Sequence, residues 1–207
     1  MRQLSGSTRD AIVRETTRLL ALRDFAEVTT RSIAESAEIS EATLFRYFKK
    51  KEDILVSILT NAAADFFEEV EHVVGLVDGP AEKLLALCRA HARFAARNKD
   101  ILAILQRECS YLGRKEPVCS DGLKRFLDKL DELIGLGVKA GVFRRDLDVE
   151  TATLGFHGVI QNVMMEERLL RRKPYEDKEF VERAERFYQH HLRAIRNGSD
   201  RGEGKGR

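Results

Sequence analysis

Residues 29–55 read TTRSIAESAEISEATLFRYFKKKEDIL. Thr29 and Ser40 are residue types favoured at helix N-caps, so the stretch predicts two short helices separated by a tight turn. The start of a third, longer helix follows them. Leu44 and Phe48 lie four residues apart on one face of the second short helix, and we expect that face to be buried.

The opposite face of this second short helix is small, polar and basic. It carries Ala42, Thr43 and Arg46, and the helix is followed at once by Lys49-Lys50-Lys51. A short helix that buries one apolar face and presents such a surface suits the major groove of DNA. A lysine run alone is ambiguous, since most charge runs are solvated surface. The ordered combination of caps, apolar positions and basic residues favours DNA binding.

This stretch resembles the helix-turn-helix of the TetR family of bacterial and archaeal transcriptional regulators. The shared pattern is T-x-R-x-I-A-x-x-A, a turn, and then S-x-x-T-L-F-x-Y-F-x-x-K-E-x-I-L, which here covers Thr29 to Leu55. Two positions depart from it. The turn usually carries Gly where this chain has Glu38, which costs about 1 kcal/mol if the backbone there is left-handed. Phe45 stands where the family usually has Tyr, so a hydroxyl that reaches phosphate is missing.

The resemblance assigns DNA contacts to the matching positions. Ala42 and Thr43 are expected to touch a thymine methyl group, and Arg46 to reach a guanine or a phosphate. Arg31 is expected at either the backbone or a base edge. Glu41 either accepts from a cytosine amine or only favours the helix dipole. The predicted set is completed by Thr30, Phe45, Tyr47 and Lys51, of which Thr30, Tyr47 and Lys51 would hold the phosphate backbone.

Composition sets the wider class of protein. A chain of 207 residues fits one large domain or a small one joined to a medium one. Three cysteines form no disulfide framework, which favours a reducing cytoplasm. The N-terminus lacks the apolar segment of a signal peptide, and no apolar run is long enough for a membrane span, so no membrane partner is expected. The net charge of +2 does not by itself indicate a nucleic-acid binder.

Helical periodicity runs through the rest of the chain. A long amphipathic helix is predicted over about 51–77, and the whole chain is predicted to be all-α, with about nine helices. The domain prediction is a three-helix helix-turn-helix DNA-binding domain at residues 1–52. A helical ligand-binding and dimerisation domain at 53–196 and a disordered tail at 197–207 follow. The roles of the two domains are those that the resemblance implies.

The last two helices are the predicted homodimer interface. Residues 154–165 carry small Gly155 and Gly158 among apolar residues on more than one side, and the final helix has a continuous apolar stripe. Two half-sites spaced about 34 Å apart require a two-fold dimer, so a four-helix bundle from two subunits is expected, as in the family. The alternative is that these helices only complete the core of the monomer.

The middle helices are predicted to enclose a site for a small apolar or amphipathic effector, such as a fatty acyl group or a flat aromatic drug. Mostly apolar walls with a few polar groups are typical of such sites, although an aromatic and Met stripe at helical spacing is more often ordinary core. The helix after Asp148 also brings His157 and Met164 to this predicted site. The predicted ligand contacts are Phe66, Phe67, Val70, Leu87, Cys88, His91, Phe94, Leu105, Cys109, Phe126, Gln161, Asn162 and Met165.

Other chemistry is not indicated. Cys88 and His91 stand one turn apart, but two ligands are too few for a metal site, so no metal and no cofactor are predicted. Phosphate loops, zincin helices and nucleophile elbows are missing from the sequence, and the chain is predicted not to be an enzyme. A redox role for Cys109 or Cys119 stays open. The function predicted is a ligand-responsive DNA-binding regulator, most simply a repressor; the alternative is a helical protein-interaction module without DNA binding.

Overall fold

The computed structural model describes residues 8–112, 118–170 and 175–197, with side chains at 108–119 and 168 excluded. Over these ranges the chain forms nine α-helices, which confirms the predicted all-α class. The predicted tail after residue 197 and the side chains of Cys109 and Cys119 lie outside what the structure describes. The helices are α1 (Thr8–Leu22), α2 (Thr30–Ser36), α3 (Glu41–Tyr47), α4 (Lys51–Gly75), α5 (Pro80–Arg97), α6 (Lys99–Leu112), α7 (Val118–Lys139), α8 (Val149–Leu170) and α9 (Asp177–Ile195).

Packing divides the chain into two compact units. The first unit comprises Met1–Asp65 and Asn98–Gly122, and the second comprises Phe66–Arg97 and Leu123–Arg207. Helix α4 is continuous through the division, so its N-terminal part belongs to the first unit and its C-terminal part to the second. The predicted division at residues 52 and 53 separates the chain by function and stays a prediction. By packing, the first unit also includes the start of α4 and the whole of α6.

The first unit is built on one apolar core to which α1, α2, α3, α4 and α6 all contribute. Leu44 is fully buried and Phe48 is 3% exposed, as the spacing on α3 predicts. A seven-residue helix is marginal by itself, so this burial is what holds α3 in place. The buried core residues are Ile12, Leu20, Phe25, Val28, Ile33, Ala34, Leu44, Phe48, Ile54, Leu55, Ile58, Leu59 and Ile104.

Helix α6 is fastened to the end of α1 by one arginine. The last carbonyls of a helix have no partner within the helix. Arg107 Nη2 donates to the carbonyl oxygens of Leu20 and Arg23, at 2.8 and 3.1 Å. Its Nε also pairs with a carboxylate oxygen of Asp24 at 3.0 Å. A residue 87 positions along the chain therefore caps the C-terminus of α1.

The second unit has its core between α5, α8 and α9. Phe156, Phe180 and Tyr188 are among its largest fully buried side chains. At the border of α8 and α9, Arg183 makes a forked contact with the Glu166 carboxylate, at 3.2 Å from Nε and 3.0 Å from Nη2. These contacts position α8 against α9, and α8 carries one of the histidines of the candidate site.

The turn between α2 and α3 has the left-handed conformation anticipated for Glu38. Its φ is 56°, which makes Glu38 the one described non-glycine residue with a positive φ. Ile39 N donates to Ala34 O at 3.0 Å, and Glu38 N donates to Glu35 O at 3.2 Å. These two bonds form a Schellman motif, whose left-handed position usually holds Gly. The departure from the family pattern therefore falls at a strained backbone position.

Glu38→Gly should raise the free energy of unfolding by about 1 kcal/mol, because glycine relieves the clash between Cβ and the carbonyl oxygen. For a chain of this size that is a rise in Tm of about 2–4 °C, measured by thermal denaturation. Glu38→Ala is the matched control, since it removes the charge but keeps Cβ. An equal gain in both variants would attribute the effect to the carboxylate and not to the backbone.

Candidate functional site

Side-chain caps fix where α2 and α3 begin. Thr29 Oγ1 accepts from Ser32 N at 3.0 Å, and Ser32 Oγ accepts from Thr29 N at 3.1 Å, which is a capping box. Ser40 Oγ accepts from Thr43 N at 3.1 Å. Both N-caps predicted from the sequence are confirmed. The Ser40 cap fixes the first residue of α3, and the burial of Leu44 and Phe48 determines which residues face outward.

The outer face of α3 is exposed in the way its sequence predicts. Ala42, Arg46 and the flanking Phe45 and Tyr47 are all exposed, while Thr43 is half-buried. Phe45 keeps 48% and Tyr47 keeps 44% of its surface, which is unusual for aromatic side chains on so short a helix. The face therefore offers an arginine, a threonine and two aromatic rings to a partner. Their contacts with DNA stay predictions.

Two of the residues predicted to contact DNA, Thr30 and Arg31, have partners within the protein. Thr30 Oγ1 donates its single proton to Glu41 Oε2 at 2.8 Å. Arg31 Nε pairs with Glu35 at 2.9 Å, and both of these side chains are exposed. An exposed pair of this kind contributes little to stability and is readily exchanged for a phosphate. Glu41 thus ties the start of α2 to the start of α3.

Lys51, which the resemblance assigns to the DNA phosphate backbone, contacts the protein itself. Its Nζ donates to the backbone carbonyls of Phe25 and Val28, at 2.6 and 2.7 Å. It also lies 4.2 Å from the centroid of the Phe25 ring. Since two of its three donors are used inside the first unit, the geometry favours a structural role in closing the connection between α1 and α2. It does not support a phosphate contact by this ammonium group.

Lys49 and Lys50 are exposed at the end of α3, although the predicted set includes neither. The run of three lysines in the sequence points to both residues. Only the structure separates them from Lys51, whose ammonium group contacts carbonyls of the protein. The exposed positive charge next to α3 therefore comes from Lys49 and Lys50.

A cluster of aromatic rings lies within the second unit, with members from four helices. Phe66 on α4 is at its centre, with ring centroids 5.1 Å from Phe94, 5.8 Å from His91 and 5.7 Å from Phe126. His157 on α8 completes it, 5.9 Å from Phe126. We call these residues, with Phe67, the aromatic cluster: Phe66, Phe67, His91, Phe94, Phe126 and His157.

The polar groups of the aromatic cluster are neutral. His91 Nδ1 lies 3.1 Å from the hydroxyl of Tyr188, and burial lowers the pKa of His91 to about 3. Burial also lowers the pKa of His157, and it raises the pKa of the nearby Cys88 thiol. Both imidazoles and the thiol are therefore uncharged at neutral pH. Cys88 is buried and protonated, which does not suit a reactive thiol.

The structure brings together part of the predicted ligand set. Phe66, Phe67, His91, Phe94 and Phe126 meet in the aromatic cluster. Others stand apart. Leu105 is half-buried against the core of the first unit, Gln161 is half-buried, and Asn162 and Met165 are exposed. Cys109 lies outside the described side chains. The remaining predicted contacts are fully buried in the second unit: Val70, Leu87 and Cys88.

A surface cleft of about 300 Å³ adjoins the aromatic cluster at Phe67. The Arg125 guanidinium carbon lies 3.9 Å from the Phe67 ring centroid, and Arg125 Nη2 donates to Glu71 Oε1 at 2.7 Å. Sequence reasoning missed Arg125, and it missed Tyr188, because each meets its partner only through tertiary packing. The cleft is lined by Phe67, Val70, Glu71, Arg125, Asp128, Lys129 and Glu132.

Neither a metal site nor a membrane span is present in the described parts of the chain. In these parts no three His, Cys, Asp or Glu side chains are grouped so that they hold a metal ion. None of the described helices is long and apolar enough to cross a membrane.

Comparison with known families agrees with this geometry. A family described as "Bacterial regulatory proteins, tetR family" matches residues 12–58, and a "Tetracyclin repressor-like, C-terminal domain" matches residues 77–165. The two segments cover well over half of the chain, and the first contains every predicted DNA-contacting residue. The chain belongs to the TetR family of DNA-binding transcriptional regulators.

Two curated relatives have regulatory names. The "Fatty acid metabolism regulator protein" of Bacillus subtilis is 26% identical over 148 residues, which cover 70% of this chain and 76% of the relative. The "HTH-type transcriptional repressor KstR2" of Mycolicibacterium smegmatis is 29% identical over 151 residues, which cover 70% of this chain and 72% of the relative. Both of these relatives of the TetR-family chain are named as regulators.

Solved structures share the fold along most of the chain. The ketosteroid regulator KstR2 of Mycobacterium tuberculosis has a TM-score of 0.77 at 21% identity and covers 93% of this chain and 97% of its own. The Bacillus subtilis regulator FadR, in complex with stearoyl-CoA, has a TM-score of 0.73 at 21% identity and covers 89% and 98%. At such identities the likeness shows the fold, which confirms the predicted architecture.

Lys51→Met should lower the free energy of unfolding by about 2 kcal/mol, because two carbonyls lose a charged donor. Chemical denaturation measures this loss. Lys50→Met is the matched control, and as an exposed change it should alter stability by about 0.5 kcal/mol or less. If Lys51→Met instead leaves stability intact and reduces the salt dependence of DNA binding, Lys51 is a phosphate contact.

Proposed function

We propose that this TetR-family protein is a transcriptional repressor that binds operator DNA as a homodimer and is released by a small apolar or amphipathic effector. The exposed outer face of α3, fixed by the Ser40 N-cap and by a buried inner face, carries the proposal. Ala42, Thr43 and Arg46 on that face are suited to reading base edges in a major groove. Lys49 and Lys50 add positive charge for the phosphate backbone.

The dimer interface that we propose runs along α8. Leu154, Gly158, Gln161, Met165 and Leu169 follow one another at spacings of three and four residues and so share one face of the helix. Leu154, Met165 and Leu169 keep 55%, 59% and 66% of their surface. Isolated exposed leucines are ordinary, but a stripe along one helix is typical of an interface. Phe187 on α9, 39% exposed, adds a ring from the neighbouring helix.

The effector site that we propose is the aromatic cluster of the second unit. Its walls are rings from α4, α5, α7 and α8, and its polar groups are few and neutral, as suits an apolar ligand. The names of the relatives support an acyl or sterol class of effector. One is named a fatty acid metabolism regulator, FadR was solved with stearoyl-CoA, and KstR2 is described as a ketosteroid transcriptional regulator. If the aromatic cluster is only part of the hydrophobic core, neither an acyl nor a sterol ligand should bind.

Helix α4 supplies the physical link between effector and DNA. Phe66 and Phe67 of the aromatic cluster stand on the same helix as Ile54 and Leu55, which share the first-unit core with Leu44 of α3. We propose that effector binding shifts this helix and moves the two recognition helices out of register with their half-sites. A coupling free energy of about 1–3 kcal/mol would weaken DNA binding about 5- to 150-fold.

The full-length protein should protect a specific site in the promoter region next to its own gene, and stearoyl-CoA should remove that protection. Footprinting over a range of salt concentrations measures both effects, because specific contacts and phosphate contacts differ in their salt dependence. A protein-interaction module without DNA binding would leave the promoter unprotected at every salt concentration.

Arg46→Ala is the variant for this experiment. It should relax specificity at one base pair at a cost of about 1–3 kcal/mol for the preferred base. Equal weakening on all sequences would assign Arg46 to phosphate. If a specific footprint is present but no acyl or sterol ligand alters it, the proposed repressor function stands and the proposed class of effector is rejected.

Leu154→Glu should convert the dimer to a monomer, because a charge cannot be buried unpaired in an apolar interface. Sedimentation equilibrium measures the mass, and the monomer should bind a palindromic operator far more weakly. Leu22→Glu is the matched control, since Leu22 is 78% exposed and lies outside the proposed interface. A wild-type protein that is monomeric at micromolar concentrations contradicts the interface.

A further inference from the structure

His157 is the member of the aromatic cluster whose hydrogen bonding is incomplete. It lies on α8, with its ring centroid 5.9 Å from Phe126 and 6.4 Å from His91. The rings of His91 and His157 are nearly parallel, at an interplanar angle of 8°. Both imidazoles therefore lie beside the Phe126 ring, His91 at 4.5 Å and His157 at 5.9 Å between ring centroids.

The two histidines differ in one respect. His91 Nδ1 has the Tyr188 hydroxyl as its partner at 3.1 Å. His157 Nδ1 is buried and has no hydrogen-bond partner among the described residues. Buried polar atoms in folded proteins are nearly always paired, and an unpaired one calls for an explanation such as a missing ligand. The position of this atom, inside the proposed effector site, supplies that explanation.

The chemistry around His157 selects the group that would pair with it. Burial disfavours the imidazolium form and lowers its pKa, so His157 presents either a neutral N–H donor or a neutral acceptor. The arginines near the cluster already have carboxylate partners: Arg125 pairs with Glu71, and Arg93 and Arg97 pair with Glu69. A ligand carboxylate would lose its hydration here without gaining a free cation, which is costly.

We propose that His157 Nδ1 is the polar anchor of the effector site and that it binds an uncharged oxygen, a carbonyl or a hydroxyl, attached to the apolar part of the effector. The inference rests on the proposed effector site and names the chemical class that it accepts. Thioesters and ketones qualify because their carbonyl oxygen accepts from the N–H tautomer. Alcohols qualify because their hydroxyl donates to the other tautomer. Free fatty acids at neutral pH are excluded.

Four probes separate the possible sources of that oxygen. Stearoyl-CoA offers a thioester and androst-4-ene-3,17-dione offers ketones on a rigid skeleton. Dodecanol and dodecanoate have the same chain and differ in charge. Isothermal titration of the full-length protein measures each affinity, and the same probes are then added to the protein bound to its promoter DNA. Dodecanol should bind more tightly than dodecanoate.

Three variants test the residue. His157→Phe keeps an aromatic ring but removes the nitrogen, and it should weaken the neutral probes about tenfold, the usual worth of one hydrogen bond. His157→Asn places an amide near the position of Nδ1 and should stay within about threefold of the wild type. His72→Phe, at an exposed histidine of α4, should change nothing. DNA affinity without any probe should be unchanged in all three.

The outcomes separate this inference from the proposed function. In one outcome, the probes bind the wild type and His157→Phe with equal affinity and release both proteins from DNA equally well. That result overturns the anchor but leaves the effector site in place. A lower melting temperature of His157→Phe with unchanged probe affinity assigns His157 a structural role and also overturns the anchor. Dodecanoate binding as tightly as dodecanol overturns the neutral class. If none of the four probes binds the wild type, the anchor and the proposed effector class fail together.

Discussion

The shared burial of α3 and the start of α4 is the constraint on which the rest of the structure depends. A seven-residue helix does not persist in water by itself. Leu44 and Phe48 give α3 its stability by entering one core with Ile54, Leu55 and Ile58 of α4. The residues left outside that core, Ala42 and Arg46 among them, are therefore held on a rigid surface. The outer face of α3 that we propose as the DNA-reading surface depends on that division of one short helix into two faces.

The local features of the first unit follow from the sequence because their causes are close together in the chain. Thr29 with Ser32, and Ser40 with Thr43, are caps made within three residues. The left-handed turn at Glu38 is closed by bonds that reach back no more than five residues. Short-range patterns such as these are readable without a structure. They define α2, α3 and the exposed face of α3.

The contacts that could not be predicted join residues far apart in the sequence. Lys51 meets carbonyls 23 and 26 positions earlier, and His91 meets Tyr188 97 positions later. The family resemblance assigns Lys51 to the DNA backbone, because no local pattern shows that its ammonium group instead meets carbonyls of the protein. Leu105 has the right periodicity for a ligand wall, yet its helix packs with the first unit. Periodicity identifies a buried face but not the partner against which it is buried.

The placement of the aromatic cluster on α4 has a consequence for regulation. A ligand shifts an equilibrium between two states only if it binds one of them better. Phe66 and Phe67 belong to the same continuous helix as Ile54 and Leu55, and the latter two pack in one core with Leu44 of α3. A ligand at the proposed site that displaced Phe66 and Phe67 would therefore strain the helix on which α3 packs. No loop needs to transmit the change. In the function that we propose, the differential affinity of the ligand acts directly on the helix that supports the proposed DNA-reading face.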